Sequence, residues 1–346
     1  MNVVFHTNQI CLRGTEIALF DYAHFNETLL GNRSIILSRE NKLSERGGPG
    51  KNQPLALAKF KERFPLVLYK DVSDIDRILR AQEADVLYAI KEGIRDGVES
   101  QETKTVIHTV FKHYEPHGDV YAYVSQWLSD LMTQGRAPVV PHMIYLPKVD
   151  GDLRGELGIP ADATVFGRYG GANSFDVPFV HQTVQRFAAQ NPDCYFLFMN
   201  TDSFIDARTS LLERFTSRFR SLPLNQIVFL PGTADLTDKS RFINTCNAML
   251  HARKRGETFG IAVGEFSVSN VPVLTYGGGK SARFESNHIE ILGDKGFVYD
   301  SAAELVELLT YVKNNRSKLK SRQWDAYSSD FSPAVVMDRF QSVFLR

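Results

Sequence analysis

Arg255-Gly256-Glu257-Thr258-Phe259-Gly260-Ile261-Ala262-Val263-Gly264-Glu265, followed by Val271-Pro272-Val273-Leu274 and Gly277-Gly278-Gly279, decides how the chain is organised. The Phe259-Gly260 pair reads as a turn that opens a helix, and the Val-rich run after it reads as a strand. A turn of this kind aims backbone N–H groups at whatever lies before the helix, and the helix dipole favours an anion there. Glu257 falls before the helix. Glu265 falls about two turns into it, so the two carboxylates need not touch and suit different parts of one extended ligand.

Outward from this stretch, short apolar runs alternate with amphipathic segments in both directions. Strands are expected near 3–5, 34–37, 66–69, 86–90, 105–108, 121–125 and 143–146. A second series is expected near 164–167, 195–199, 227–230, 248–251, 271–275 and 296–298. Helices are expected over 14–30, 178–190, around 305–312 and from Pro333 to the end, with Ser332 as its N-cap. Strand–helix alternation with buried-looking strands implies parallel sheets covered on both faces. Residues 42–54, with Gly47-Gly48-Pro49-Gly50, break the pattern and read as a long loop, either a surface connection or a lid.

The 346 residues exceed what one hydrophobic core of ~250–300 residues supports, so two domains follow. The boundaries expected are 1–147 and 148–331, with the terminal helix 332–346 packing back on the first. Forty basic against forty acidic residues give a formal net charge of +0, which argues against a nucleic-acid partner. Cys11, Cys194 and Cys246 are scattered and odd in number, which points to a reducing compartment and a cytoplasmic location. The start of the chain reads as a strand and not as a signal peptide. No apolar run approaches the ~20 residues of a membrane helix. The sequons at Asn26, Asn32 and Asn315 therefore read as accidental.

The stretch from Glu257 to Glu265 resembles the retaining GT-B glycosyltransferases of the family 4 type, whose signature is two Glu separated by seven residues with Phe-Gly after the first. Asn270-Val271-Pro272-Val273 resembles the strand that follows in that family. Gly14-Thr15-Glu16 looks like its first Gly-rich loop. Ile107-His108-Thr109 and Val124-Ser125 look like its N-terminal strand ends. Phe166-Gly167-Arg168-Tyr169 looks like its Gly-Arg strand, and Gly293-Asp294-Lys295-Gly296-Phe297 like its closing loop. The resemblance covers most of the chain. It implies an α/β GT-B fold, two Rossmann-like doubly wound domains facing across a cleft.

The activity implied is retaining transfer of a sugar from a nucleotide-sugar donor to a glycan, lipid or other hydroxyl acceptor, with no cofactor and no metal. The acceptor falls to the N-terminal domain and the donor to the C-terminal one. By resemblance His108, Arg168 and Glu257 are catalytic: His108 near the sugar, Arg168 on the diphosphate, Glu257 on the sugar hydroxyls. Glu265 holds the ribose. Gly14, Lys254, Arg255, Phe259, Gly260 and Ile261 complete the donor site. Where the family has a phosphate-binding Lys after Gly-Arg, this chain reads Gly170-Gly171-Ala172-Asn173-Ser174-Phe175. Arg253-Lys254-Arg255 is the expected substitute.

Three histidines, His108, His113 and His117, lack the ligand set of a zinc site. Lys313, Arg316, Lys318, Lys320 and Arg322 form a basic stretch, read as a solvated face with peripheral membrane contact as the alternative. Rival readings for the whole chain are a sugar-nucleotide epimerase or phosphorylase on the same frame, and a non-catalytic nucleotide-sugar or glycan-binding protein.

Overall fold

The computed structural model describes residues 1–45, 47, 49–205 and 224–346. The chain divides into two compact units, Met1–Tyr145 with Ser329–Arg346, and Leu146–Ser328. Each holds a six-stranded sheet.

In the first unit the strands are β1 (Asn2–Thr7), β2 (Arg33–Arg39), β5 (Leu66–Tyr69), β6 (Val86–Lys91), β7 (Lys104–Thr109) and β8 (Val120–Tyr123). Their order is β5-β2-β1-β6-β7-β8, and every pairing is parallel. The short strands β3 (Lys42–Leu43) and β4 (Lys51–Asn52) pair separately. In the second unit β9 (Thr164–Tyr169), β10 (Cys194–Met199), β11 (Ile227–Leu230), β12 (Ala248–His251), β13 (Val273–Tyr276) and β14 (Gly296–Tyr299) run in the order β11-β10-β9-β12-β13-β14, again all parallel. Counted within each sheet, both orders are 3-2-1-4-5-6, the doubly wound Rossmann arrangement. Ligands of such sheets bind beyond the carboxyl ends of the strands where the order reverses, between β1 and β6 and between β9 and β12.

The central strands are apolar without alternation because both faces are covered. Phe166, Phe196, Phe198, Leu250 and Leu274 all lie in the core of the second unit. The helix Pro178–Gln190 puts Val180, Val184 and Phe187 into the same core, at the spacing its sequence shows. Ser301 caps Ala302–Asn314 with a complete capping box through Glu304.

The terminal helix Pro333–Phe340 belongs to the first unit. Val336, Phe340 and Phe344 are fully buried. Phe340 stacks on Tyr22 with ring centroids 5.3 Å apart and on Phe5 at 6.1 Å. Each such side chain contributes about 1.5–3 kcal/mol by leaving water, which is what holds so distant a segment in place.

Three expectations are corrected. Residues 143–146 form no strand, because no strand edge lies beside them; Ile144 N–H donates instead to the carbonyl of Phe331 at 2.8 Å. Ser125 ends no strand: its hydroxyl accepts from Leu128 N–H at 3.2 Å and caps the helix Gln126–Thr133. Val271 precedes its strand, which starts at Val273. The loop 42–54 is bound to the segment after β1: Asn52 Oδ1 accepts from Ile10 N–H at 2.8 Å, and Gln53 Oε1 from Leu12 N–H at 3.0 Å. Pro54 already opens the helix Pro54–Arg63. Arg46 and Gly48 of that loop lie outside the described residues.

All three cysteines are buried and none is in a disulfide. Asn26 is fully buried, with Nδ2 donating to Ser34 Oγ at 2.9 Å, so this sequon offers no glycan site. No helix among the described residues is long and apolar enough to cross a membrane. Three cations of the basic stretch are held within the second unit. Lys313 meets Asp193 at 2.8 Å, Arg322 donates to the carbonyl of Asp294 at 2.8 Å, and Arg316 donates to that of Asp162.

Candidate active site in the second unit

Arg168 is the fifth residue of β9, at the reversal point of the second sheet. It is only 3% exposed. Its Nη2 donates to Ser174 Oγ at 2.6 Å and to the carbonyl of Gly171 at 3.0 Å, and its Nη1 donates to Thr201 Oγ1. All three acceptors are neutral, and among the described residues no carboxylate accepts a hydrogen bond from it. Burial lowers its pKa to about 10, with Glu257 opposing that shift. A guanidinium taken out of water needs counter-charge, and Glu257, Asp176 and Asp202 supply part of it through space.

Across the reversal point, β12 ends at His251 and the chain turns through 253–260 into the helix Ile261–Val268. Gly256 is required in that turn. Its φ is +76°, and a Cβ there would stand 2.2 Å from the carbonyl oxygen of Glu285. Gly260, at φ +88°, starts the helix. The first N–H groups of the helix have no carbonyl within it to bond and point back toward the turn.

Glu257 is held between two partners, Arg253 Nη1 on Oε2 and His251 Nε2 on Oε1 at 3.3 Å. Burial pushes this carboxyl up, but Arg253 and His251 outweigh it and hold it down at about 2. His251 Nδ1 meets Thr275 Oγ1 at 2.8 Å, and that oxygen meets His288 Nε2 at 2.9 Å. Burial drives His288 down to about 3, so the ring at the far end of this chain is neutral at ordinary pH. Such support fixes the carboxylate in one orientation.

Glu265 sits elsewhere. It is the fifth residue of the helix, just over one turn in and not two, and is 2% exposed. Lys239 Nζ donates to Oε1 at 2.6 Å, and Tyr169 O–H donates to Oε2. Phe259 is likewise core, 3% exposed and edge-on to Tyr327.

Within the basic run the three side chains diverge. Arg253 is on Glu257, Arg255 Nε donates to Glu285 at 2.9 Å, and Lys254 is exposed while its backbone N–H donates to Asp176 at 2.7 Å.

Gly14 and His108 belong to the first unit. Gly14 opens the helix Gly14–Thr28. His108 lies on β7 with no exposed surface, among Tyr22, Tyr88, His142 and Phe344. Its Nδ1 meets Tyr88 O–H at 2.6 Å, and burial drives its pKa to about 3. The side chain faces the layer formed by the first and terminal helices, so in this structure it packs inward. Among the described residues no group of three or more His, Cys, Asp and Glu side chains is placed to hold a metal.

His251, Thr275, Ser174, Thr201 and Lys239 were not among the residues expected here. His251 carries a sequence signal, since it closes a strand just before the glutamates. Lys239 carries none, because nothing in its own helix marks it as the partner of Glu265.

No known protein-family profile matches the chain, and no curated protein matches it by sequence. Solved structures do match it over nearly its whole length. Anabaena HepE in complex with UDP-glucose has a TM-score of 0.72 at 15% identity, over 99% of this chain and 98% of its own. A glycosyltransferase from Rickettsia africae has a TM-score of 0.67 at 12% identity, over 99% and 97%. The sucrose-phosphate synthase of Thermosynechococcus elongatus has a TM-score of 0.66 at 12% identity, over 99% and 98%. At these identities the likeness is one of fold, and the fold is that of the GT-B glycosyltransferases.

Proposed function

We propose that the chain is a retaining glycosyltransferase that takes its sugar from a nucleoside-diphosphate donor. The observation that carries this is Arg168: a buried guanidinium at the reversal point of a doubly wound sheet, hydrogen-bonded among the described residues only to neutral groups. Anabaena HepE was solved with UDP-glucose, which makes UDP-sugars the first donors to try.

In this reading the diphosphate lies on Arg168, the backbone at Gly170-Gly171 and the N–H groups of Gly260 and Ile261. Arg253 is the second cation, since it reaches Glu257 and its charge is felt by Arg168. Lys254 and Arg255 stand at the rim. Glu257, ionised and locked, accepts hydrogen bonds from the sugar hydroxyls. Glu265 receives the ribose only by exchanging Lys239 or Tyr169 for it. The acceptor, a glycan, a lipid-linked sugar or another hydroxyl compound, falls to the unit that holds Gly14. His108 supports that unit from its core.

The bond from the anomeric carbon to the diphosphate oxygen breaks, and the acceptor oxygen bonds to the same face of that carbon. The acceptor proton goes to the departing phosphate oxygen. The products are a glycoside and a nucleoside diphosphate. Positive charge develops on the sugar and negative charge on the phosphate, so fixed cations and N–H dipoles do most of the catalysis. No pair of carboxylates flanking the anomeric carbon is needed, unlike most glycosidases. No metal is invoked, so turnover should persist in EDTA.

Thermal-shift screening against UDP, GDP, ADP and CMP, then against the matching sugar nucleotides, tests the reading. A ligand that binds the folded state raises its stability by mass action. One nucleoside diphosphate should raise the melting temperature, and its sugar nucleotide should be consumed when acceptors are added. No shift with any of the four overturns the proposal.

A further inference from the structure

In the first unit the connection from β6 to β7, residues 92–103, carries no helix. The connection from β7 to β8, residues 110–119, also carries none. Together with β8 they wall a cavity of about 540 Å³ lined by Arg95, Glu99, Ser100, His117, Asp119 and Tyr121. That volume lies within the range of about 300–1,000 Å³ usual for small-ligand sites. The cavity reaches the amino-terminal end of β7: Asp119 Oδ2 accepts from Thr105 N–H at 2.7 Å, and Ser100 N–H donates to Thr105 Oγ1 at 3.1 Å. It is therefore not at the carboxyl edge of the sheet.

The wall is built, not incidental. Arg95 joins the two connections, its Nη2 donating to the carbonyl of Pro116 at 2.8 Å and its N–H to Glu115 Oε2 at 2.9 Å. His117 is 5% exposed, and its Nδ1 meets the carbonyl of Glu115 at 2.6 Å. A carbonyl can only accept, so Nδ1 carries the hydrogen. Nε2 is then the remaining ring nitrogen, and among the described residues that buried atom has no hydrogen-bond partner. Leaving it unmatched costs about 1–3 kcal/mol, which a ligand hydroxyl would recover once the ring turns Nε2 toward the cavity. Arg95 supplies further donors, and Glu99, 3.7 Å from it, supplies acceptors in a loose, partly exposed pair that a ligand can enter.

We propose that this cavity binds a neutral saccharide. One guanidinium faces two carboxylates, so the wall has no excess of positive charge with which to hold an anion. Donors, acceptors and a tyrosine ring converge instead, and hydroxyls that both donate and accept match all of them. The site stands on its own chemistry and does not rest on the donor site of the other unit.

The full chain, labelled at histidine, is titrated with glucose, galactose and maltose while the His117 imidazole signals are followed by NMR, assigned through His117→Gln. Arg95→Ala and Glu99→Gln change only partly exposed side chains and are run beside it. At least one sugar should give a saturable shift of the His117 signals, and each variant should weaken it roughly ten-fold. No saturable shift with any of the three overturns the proposal. So does a saturable shift with inorganic phosphate in place of sugar, or a sugar response unchanged in both variants. UDP affinity is measured by calorimetry on the same samples. A sugar response without UDP binding supports this site and counts only against the donor reading.

Discussion

Replacing Lys239 by Met strips the ammonium from a carboxylate that has almost no contact with water. Glu265 is 2% exposed, and its side-chain partners are Lys239 and Tyr169. Removing one partner of a buried pair costs about 3–5 kcal/mol, because the remaining charge must be kept unpaired or neutralised. Met fills the aliphatic part of the lysine, so little of that loss is packing. In a unit of this size about 1 kcal/mol moves the melting temperature roughly 2–4 °C, which gives an expected fall on the order of 6–20 °C. The double variant Lys239→Met with Glu265→Leu should recover most of it, since an apolar pair of similar volume is often neutral or better. Trp324, fully buried in the second unit, reports unfolding by fluorescence once Trp127 is changed to Phe. A single variant that loses less than about 1 kcal/mol would refute the reasoning, as would a double variant whose loss is the sum of the two singles.

Gly256→Ala should destabilise the second unit and abolish donor binding, because its Cβ would meet the Glu285 carbonyl oxygen; circular-dichroism melts and calorimetry check both. Acid should weaken the fold between pH 7 and 5. His6, His108 and His288 are each held near 3 by burial, so the unfolded chain takes up protons below its ordinary value of about 6.5 while the folded one does not. Each costs about 2 kcal/mol by pH 5. Glu16, raised to about 7 by burial, works in the opposite direction, but it is one group against three. Urea melts that are flat or steeper in stability toward acid would contradict this. His108→Ala should lower the melting temperature through a core cavity while leaving the turnover of surviving folded enzyme within a few-fold; a large loss of turnover at unchanged stability would make it an active-site group. Among Arg253→Ala, Lys254→Ala and Arg255→Ala, the first should weaken diphosphate binding by roughly ten-fold or more and spare the nucleoside.

Local signals made the two sheets readable. Apolar runs such as 194–199 and 248–251 read as strands buried on both faces, and Pro and Ser marked the starts of 178–190 and of the terminal helix. Where a segment depended on distant partners, reading failed. Residues 143–146 are as apolar as a strand, yet they find one backbone partner and no sheet edge. The helix Leu236–Thr245 escaped because its buried side includes Lys239 and Ser240, which look solvated in sequence. The same limit applies to the site. Arg168 and Glu257 stand at strand and helix ends, where position alone suggests a ligand. For Glu265 and His108 the sequence carries no sign of their partners, Lys239 and Tyr88, which only the three-dimensional packing reveals.

Calorimetry of UDP, or of whichever nucleoside diphosphate the thermal screen selects, against wild type and Arg168→Ala is the most direct test of the donor site. The buried guanidinium should contribute about 1.5–3 kcal/mol to the phosphates, so the variant should bind the diphosphate roughly ten- to a hundred-fold more weakly. The free nucleoside should bind both proteins alike. Equal diphosphate affinity in the two proteins would contradict the assignment of Arg168 and, with it, the placement of the donor.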